Sequence, residues 1–195
     1  MSKAVMISIR PEWCEKIASG QKTIEVRKTK PKLDTPFTCY IYQTRHKWIC
    51  SLLRFLGRDE LATHLESSRG KVIGEFVCDR IYDCDADSFG LFDINTKEHL
   101  SGTCLVWSDI WSYSNGFLPL YGWHISDLVI YDKPKELSEF ISFCSEYDKK
   151  QVTAKCHKCE HFIRDDKDCY AYCEIEGEKS LTRSPQSWCY VEGLE

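Results

Sequence analysis

The sequence lacks any apolar run long enough to cross a membrane. Among its 195 residues, no stretch approaches the roughly 18 consecutive apolar residues that a spanning helix needs. The N-terminal run AVMISI is followed at once by Arg10 and Pro11, so it is too short for the apolar part of a secretion signal. We therefore expect a cytoplasmic protein with no membrane partner.

The chain also lacks an excess of positive charge. Its 26 Lys and Arg residues are outnumbered by 30 Asp and Glu residues, for a net charge of −4. Bulk attraction to a polyanion is thereby excluded, and any nucleic-acid contact has to come from a local basic patch. Internal repeats and low-complexity tracts are absent as well. A chain of this length, 43% hydrophobic, suits one domain or one domain with a small appendage.

The apolar pattern predicts short strands interspersed with short helices. Strands are predicted at 4–9, 22–27, 39–42, 71–83, 128–131 and 185–192. Helices are predicted at 11–19 (ending at Gly20), at 47–66 as a helical insertion with a break at Gly57, and at 134–144. The aromatic segment 104–118 is ambiguous. Because strands do not alternate regularly with long helices, we expect an α+β fold built on a small, partly open β-barrel.

Cysteine is abundant, and four of the 12 cysteines are clustered as Cys156-x2-Cys159-x9-Cys169-x3-Cys173. Two short-spaced pairs joined by a loop suit a tetrahedral zinc ion. A reducing cytoplasm argues against disulfides, and an iron–sulfur cluster is the less favoured alternative. We predict a structural zinc site in an inserted module, residues 150–180, that the metal helps to fold. Residues 1–149 and 181–195 would form the main domain.

Two histidines leave the ligand set of this zinc site open. His157 and His161 lie within the cysteine cluster, and either could replace one cysteine. The other eight cysteines are scattered singly in apolar surroundings and are interpreted as small buried hydrophobic residues.

The stretch GQKTIEVRK, residues 20–28, carries many charges for a strand. Alternation places Glu25 and Arg27 on one face, with Thr23, and turns the apolar residues Ile24 and Val26 towards the core. The charged face is then either a solvated ion pair of little energetic value or one wall of a ligand site.

The residue types in this stretch suit a nucleotide ligand. Gly20 allows close approach of the backbone. Lys22 and Arg27 suit a phosphate, and Glu25 can accept a hydrogen bond from an exocyclic amine.

Aromatic side chains elsewhere could add base stacking to this site. Trp13, Trp123 and Trp188 are candidates, although core packing is the commoner role of a tryptophan. Trp123 is favoured because it adjoins His124, which can titrate near neutral pH.

The spacing Gly20-x-Lys22-x-x-Glu25-x-Arg27 resembles the GxKxxExR signature of the ASCH domain, a member of the PUA-like superfamily. The segments GKVIGEFVCD and YGWHISDLVIYDKPKELSEF resemble in particular ASCH-domain proteins of phages and prophages of Gram-positive bacteria. The resemblance implies a PUA-like β-barrel, a cleft partly lined by the signature, and binding of RNA or modified nucleotides. The zinc module would be an insertion before the last strand.

The resemblance also implies two enzymatic alternatives. One family branch consists of amidohydrolases acting on N4-acetylcytidine, and another member is described as a ribonuclease. Lys22 occupies the place of the amidohydrolase lysine and would be catalytic in an enzyme, but Glu25 stands where those enzymes carry threonine.

We therefore rank binding of RNA or a modified nucleotide first. The predicted ligand residues are Gly20, Lys22, Thr23, Glu25, Arg27, Trp123 and His124. An enzyme acting on RNA or a modified nucleoside is the second reading. The third is a phage-encoded factor that binds a host protein.

Overall fold

Strands are the main regular structure of the described chain. The computed structural model describes residues 2–45, 54–84, 102–115, 120–142, 162–165, 170–173 and 179–194. The strands are β1 (Lys3–Ile9), β2 (Ile24–Arg27), β3 (Phe37–Gln43), β4 (Val72–Cys78), β5 (Ile81–Cys84), β6 (Leu120–His124), β7 (Ser126–Lys135), β8 (Ile141–Ser142), β9 (Phe162–Asp165), β10 (Tyr170–Cys173), β11 (Lys179–Ser180) and β12 (Trp188–Glu192). The helices are α1 (Pro11–Ala18), α2 (Asp59–Ser68) and α3 (Trp107–Ser114).

The strands form three open sheets, and the predicted small barrel is wrong for the described part of the chain. A mixed seven-stranded sheet has the order β11-β8-β12-β1-β3-β4-β7, and smaller sheets have the orders β2-β6-β5 and β10-β9. The predicted strand over 71–83 breaks at Asp79 and Arg80. Because of that break, β4 pairs within the large sheet and β5 pairs within the three-stranded one.

Strand β1 is buried on both faces of the large sheet. Val5 and Ile7 face one hydrophobic cluster, whereas Ala4 and Met6 face another. It pairs with β3 in parallel and with β12 in antiparallel orientation. A strand covered on both sides favours apolar residues at successive positions, which explains the run Ala4–Ile7.

Helix α1 confirms the prediction for residues 11–19. Pro11 occupies its first turn, while Cys14 and Ile17 are buried against the main core. Gly20 follows the C-cap at φ +74° and donates its N–H to the carbonyl of Ile17 at 2.9 Å. Glycine adopts this left-handed conformation without steric cost, so it turns the chain from α1 towards β2.

The predicted helix over 134–144 is wrong. Strand β7 extends to Lys135, a 3-10 turn follows at Leu137–Glu139, and β8 comes next. Phe140 is fully buried in the second core cluster, with its ring centroid 4.9 Å from that of Tyr40. An isolated helix of this length is marginal, and pairing of β8 with β11 and β12 replaces it.

The two predicted insertions are described only in part. Helix α2 follows Gly57, which has φ +70° as suits the predicted break, but residues 46–53 lie outside the described ranges. Within 150–180 the structure describes the β9–β10 hairpin, and β11 pairs with β8 of the main sheet. The helical insertion and the domain division therefore stay predictions. No helix in the described residues is both long and apolar enough to span a bilayer.

Candidate functional site: a buried charge triad beneath a cleft

Three charged side chains of the GQKTIEVRK stretch form a buried triad. Glu25 Oε2 lies 3.3 Å from Lys22 Nζ, and Glu25 Oε1 lies 3.0 Å from Arg27 Nη2. Their side chains are only 2% (Lys22), 9% (Glu25) and 9% (Arg27) exposed. A buried carboxylate between two cations is electrostatically compensated, and the group retains one excess positive charge.

The Lys22 ammonium is held inside the protein by two hydrogen bonds and by its ion pair with Glu25. Besides its contact with Glu25, Nζ donates to the carbonyl oxygens of Ile24 at 2.7 Å and Thr103 at 2.8 Å. An ammonium has three donors, so this side chain joins β2 firmly to the segment before α3.

Arg27 reaches in the opposite direction, towards the end of β1. Its Nη2 donates to the carbonyl of Ser8 at 2.6 Å, and its Nη1 lies 3.5 Å from Ser187 Oγ. The triad thereby connects β2 with β1, with the segment before β12 and, through Lys22, with the segment before α3.

The strand register corrects the predicted orientation of β2. Glu25 and Arg27 stand opposite Trp123 and Tyr121 of β6, which contribute to the main core. Directly opposed residues share a face, so the charged residues point to the main-core side. The apolar face packs elsewhere, and the solvated ion-pair interpretation does not hold.

The apolar face of β2 is covered by the segment 102–114. Val26 forms a small cluster with Ile110 of α3 and Leu120 of β6. Gly102 packs so closely that an added Cβ would lie 2.6 Å from Thr23 Oγ1. This close packing holds α3 beside β2 and makes it one wall of a cleft.

The cleft above the triad has a volume of about 650 Å³. The lining residues are Ser8, Ile9, Arg10, Trp13, Lys22, Glu25, Val26, Arg27, Thr44, Arg45, Leu105, Asp109, Ser112, Tyr113, Gln186 and Ser187. Four of them are cationic and two are carboxylates, so the cleft is locally positive on a chain of net charge −4.

Parallel pairing explains why two arginines that the sequence analysis missed meet at this cleft. Arg10 follows β1, and Arg45 comes two residues after β3, the parallel neighbour of β1. The carboxyl ends of parallel strands lie at the same edge of a sheet. If parallel pairing between the first and third strands had been predicted, Arg10 and Arg45 would have been expected at the same edge of the sheet.

The family comparison agrees with the signature at the floor of this cleft. Residues 7–100 match the model of the ASCH domain. The matched range, slightly less than half of the chain, is similar to an ASCH domain. The resemblance inferred from the signature spacing is confirmed at that level, and the matched range includes the triad, Arg10 and Arg45.

Solved structures of an ASCH protein from Zymomonas mobilis are similar to the chain. The first is 20% identical, covers 69% of this chain and 73% of its own, and has a TM-score of 0.49. Two single-residue variants of that protein are also 20% identical with TM-scores of 0.49; they cover 70% and 69% of this chain and 77% and 74% of their own. No curated protein matches the sequence.

Two residues of the ASCH signature region lie outside the cleft lining. Gly20 is exposed and serves the turn after α1. Thr23 is exposed as well, and its backbone N–H donates to the carbonyl of Gly102 at 2.8 Å. The contribution of both residues is to direct Lys22 and Glu25 inward.

The two predicted residues of β6 also lie away from the cleft. Trp123 is fully buried in the main core, so its ring faces have no room for a stacked base. His124 is partly exposed, with Nδ1 2.6 Å from Asp79 Oδ1. This hydrogen bond holds the pKa of Asp79 below its usual value. Tyr113 and Trp13 line the cleft instead.

The predicted metal ligands cannot be placed together. Cys156, Cys159 and Cys169 lie outside the described residues, and Cys173 is described only through the backbone of β10. In the remainder that is described, no three His, Cys, Asp or Glu side chains are grouped to hold a metal. The zinc site stays a prediction.

Proposed function

We propose that this protein binds RNA or a modified nucleotide in the cleft above the Lys22–Glu25–Arg27 triad. The buried triad is the observation that carries the proposal. Burying three charged groups is costly, and here they form the floor of an open, locally positive cleft. Its volume of about 650 Å³ falls within the usual range of small-molecule sites.

The cationic residues of the cleft suit phosphate groups. Arg10 and Arg45 are exposed at its edge, where guanidinium groups can bind phosphate oxygens in a bidentate manner. Because the Lys22 ammonium already donates to two backbone carbonyls and pairs with Glu25, we assign it to maintaining the charge and position of Glu25. The Glu25 carboxylate faces the cleft and can accept from an amine of a base.

Tyr113 is the aromatic residue best placed for stacking. It lines the cleft, and the residue is 38% exposed. Burial of its hydroxyl raises the pKa of Tyr113, so this group stays a neutral hydrogen-bond donor near pH 7. Stacking on a tyrosine tolerates any base, and phosphate contacts supply affinity.

Binding of a labelled single-stranded RNA, followed by fluorescence anisotropy, tests the proposal. We expect Tyr113→Ala to lower the affinity by about tenfold, in line with ~1–3 kcal/mol per stacked base. Arg45→Ala should weaken binding and reduce the salt slope by about one.

Matched control variants outside the cleft distinguish RNA binding at this site from a general effect of protein charge on affinity. Tyr82→Ala removes another tyrosine and Lys30→Ala removes another cationic residue, and both should leave the affinity unchanged. Single nucleosides and nucleotides, including N4-acetylcytidine, can be titrated in parallel. If the cleft variants bind as tightly as the unaltered protein, the proposed site is wrong.

The same sample tests the enzymatic alternatives. Incubation with N4-acetylcytidine and with labelled RNA should yield no turnover if binding is the function. Hydrolysis that disappears in Lys22→Met but persists in Lys30→Met would instead support an enzyme with Lys22 at its centre.

We further propose that Cys156, Cys159, Cys169 and Cys173 hold a structural zinc ion, with His157 or His161 as the alternative fourth ligand. The support is their spacing. Metal analysis of the purified protein should find about one zinc per chain. Cys156→Ser should lower that content sharply, whereas Cys104→Ser, outside the cluster, should not. Equal zinc content in both variants would contradict this assignment.

Two finer readings rest on the sequence resemblance. We propose a phage or prophage type of ASCH protein, and a host protein remains the alternative partner. A host protein that is captured equally well by the unaltered protein and by Tyr113→Ala would favour a surface other than the cleft.

A further inference from the structure

The guanidinium of Arg27 has hydrogen-bond donors to spare at the floor of the cleft. Its side chain lines the cleft although it is nine-tenths buried. Nη1 carries two N–H groups and contacts Ser187 Oγ at 3.5 Å, the limit of a hydrogen bond. Nε is buried and donates to no acceptor among the described residues. Because a buried donor without an acceptor costs free energy, an acceptor group of a ligand fits this position.

Other polar side chains surround the same end of the cleft. Arg27 Nη2 donates to the carbonyl of Ser8 in β1, which places the guanidinium beside the carboxyl ends of the parallel strands β1 and β3. Thr44 follows β3, and its Oγ1 is buried without a hydrogen-bond partner in the described part of the chain. Arg10 and Arg45 come after these two strands and line the same cleft. Donors and positive charge are therefore concentrated at this end.

The charges of the cleft lining match those of a phosphomonoester. Four cationic side chains against two carboxylates leave two positive charges at the cleft. A phosphomonoester carries about 1.5 to 2 negative charges near pH 7, whereas each internal phosphate of RNA carries about one. A terminal phosphate therefore neutralises the lining more completely than an internal phosphate does.

We propose that the floor of the cleft binds a phosphomonoester, the terminal phosphate of a mononucleotide or of an RNA end, at Arg27 and Ser187. This inference deepens the proposed function and rests on it. An internal phosphate is esterified to a sugar on each side, and both sugars would have to enter the floor with it. A terminal phosphate has one ester link and three free oxygens, so it can reach a guanidinium that is nine-tenths buried.

The bound nucleotide extends from the floor towards the α3 wall of the cleft. Burial raises the pKa of the Tyr113 hydroxyl and the charge of Arg27 opposes that rise, so the hydroxyl lies close to the guanidinium. A phosphate at Arg27 leaves its sugar and base beside the Tyr113 ring, where the base can stack. Arg10 and Arg45, exposed at the cleft edge, add positive charge around the phosphate.

Binding of end-modified RNA to the full chain tests the proposal. A short single-stranded RNA with an internal fluorescent label is prepared with a 5′-phosphate, with a 3′-phosphate and with hydroxyls at both ends. We expect one phosphorylated form to bind about tenfold more tightly than the unphosphorylated form, as the strength of charge-assisted hydrogen bonds predicts. Competition with adenosine 5′-monophosphate, adenosine 3′-monophosphate and adenosine then shows whether a mononucleotide is sufficient or an RNA end is required.

The pH dependence of this preference identifies the charge of the bound group. The second ionisation of a phosphomonoester occurs at about pH 6. Between about pH 7.5 and about pH 5, the preference for phosphorylated RNA should therefore shrink. The unphosphorylated RNA, measured at the same pH values, reports any titration of the protein itself. A preference of equal size at both pH values would overturn the assignment of a dianionic group.

Single substitutions locate the terminal phosphate within the cleft. Ser187→Ala should reduce the preference for phosphorylated RNA several-fold. Arg27→Lys keeps a positive charge beside Glu25 but removes the donors Nε and Nη1, so it should reduce the preference further. Ser19→Ala is the matched control, because Ser19 is exposed and lies outside the cleft lining; it should leave the preference unchanged.

The outcomes separate this inference from the proposed function. Equal affinity of the unaltered protein for phosphorylated and unphosphorylated RNA would overturn the inference and leave RNA binding in place. Absence of binding by every RNA and nucleotide would overturn both. A preference that Ser187→Ala leaves as large as Ser19→Ala does would place the phosphate elsewhere and overturn its assignment to Arg27 and Ser187.

Discussion

Glu25→Ala is expected to lower the free energy of unfolding by about 3–5 kcal/mol, because it leaves two buried cations without their counter-charge. Lys22 and Arg27 are each less than a tenth exposed, so solvent screens their charges only weakly. Urea unfolding at neutral pH, monitored by tryptophan fluorescence, measures the change. Glu25→Gln keeps the size of the side chain but removes its charge, and it should lower the free energy of unfolding by nearly as much. That result would show that the loss of charge causes the destabilisation.

The exposed pair of Lys30 and Asp83 provides the matched control. Its atoms are 2.8 Å apart, but the side chains are 44% and 66% exposed. Exposed pairs contribute roughly 0–1 kcal/mol, so Asp83→Ala should have a small effect. Equal losses in Glu25→Ala and Asp83→Ala would show that the triad is solvated.

Trp123→Ala should also destabilise the protein by about 3–5 kcal/mol, the usual cost of removing a large buried aromatic side chain. The Trp123 ring lies 6.0 Å from Phe37 and 5.9 Å from Trp188, centroid to centroid. Its indole Nε1 is buried and donates to no partner in the described structure. Trp123→Phe removes that unsatisfied donor and should therefore cost less than Trp123→Ala.

Trp13 is the matched control for this prediction. It lies at the cleft and is only half-buried, so Trp13→Ala should cost less stability in the same urea experiment. RNA affinity should change in the reverse order, with Trp13→Ala weakening binding more than Trp123→Phe. If Trp123→Ala were stable but bound RNA less tightly, Trp123 would belong to the ligand site and this prediction would be wrong.

The local sequence pattern correctly predicted helix α1, whose structure depends on residues that are close together in the sequence. Helix α1 and its terminal Gly20 follow from apolar spacing and from the backbone freedom of glycine. The predicted helix over 134–144 failed because Phe140 has a core position to fill and β8 has strands to pair with. Tertiary contacts outweigh the weak helical preference of such a short segment.

The cleft depends on contacts between distant residues, and only its floor could be predicted from the sequence. Tyr113 lay in a segment whose pattern was ambiguous. Arg10 and Arg45 were missed because strands can pair in many orders, and the parallel pairing of β1 with β3 is not encoded by either strand alone. Trp123 was favoured as a stacking residue, although burial of large aromatic side chains is common.

By itself, the sequence determined that Lys22, Glu25 and Arg27 carry an ASCH signature and that Glu25 and Arg27 share one face of a strand. Alternation establishes which side chains lie together, because the period of a strand is local. Which face is covered depends on distant segments. Lys22 donates a hydrogen bond to the carbonyl of Thr103, 81 residues away along the chain. Arg27 donates one to the carbonyl of Ser8, 19 residues away. Only the tertiary structure brings these groups together, and it thereby turns a charged strand face into the buried floor of a cleft.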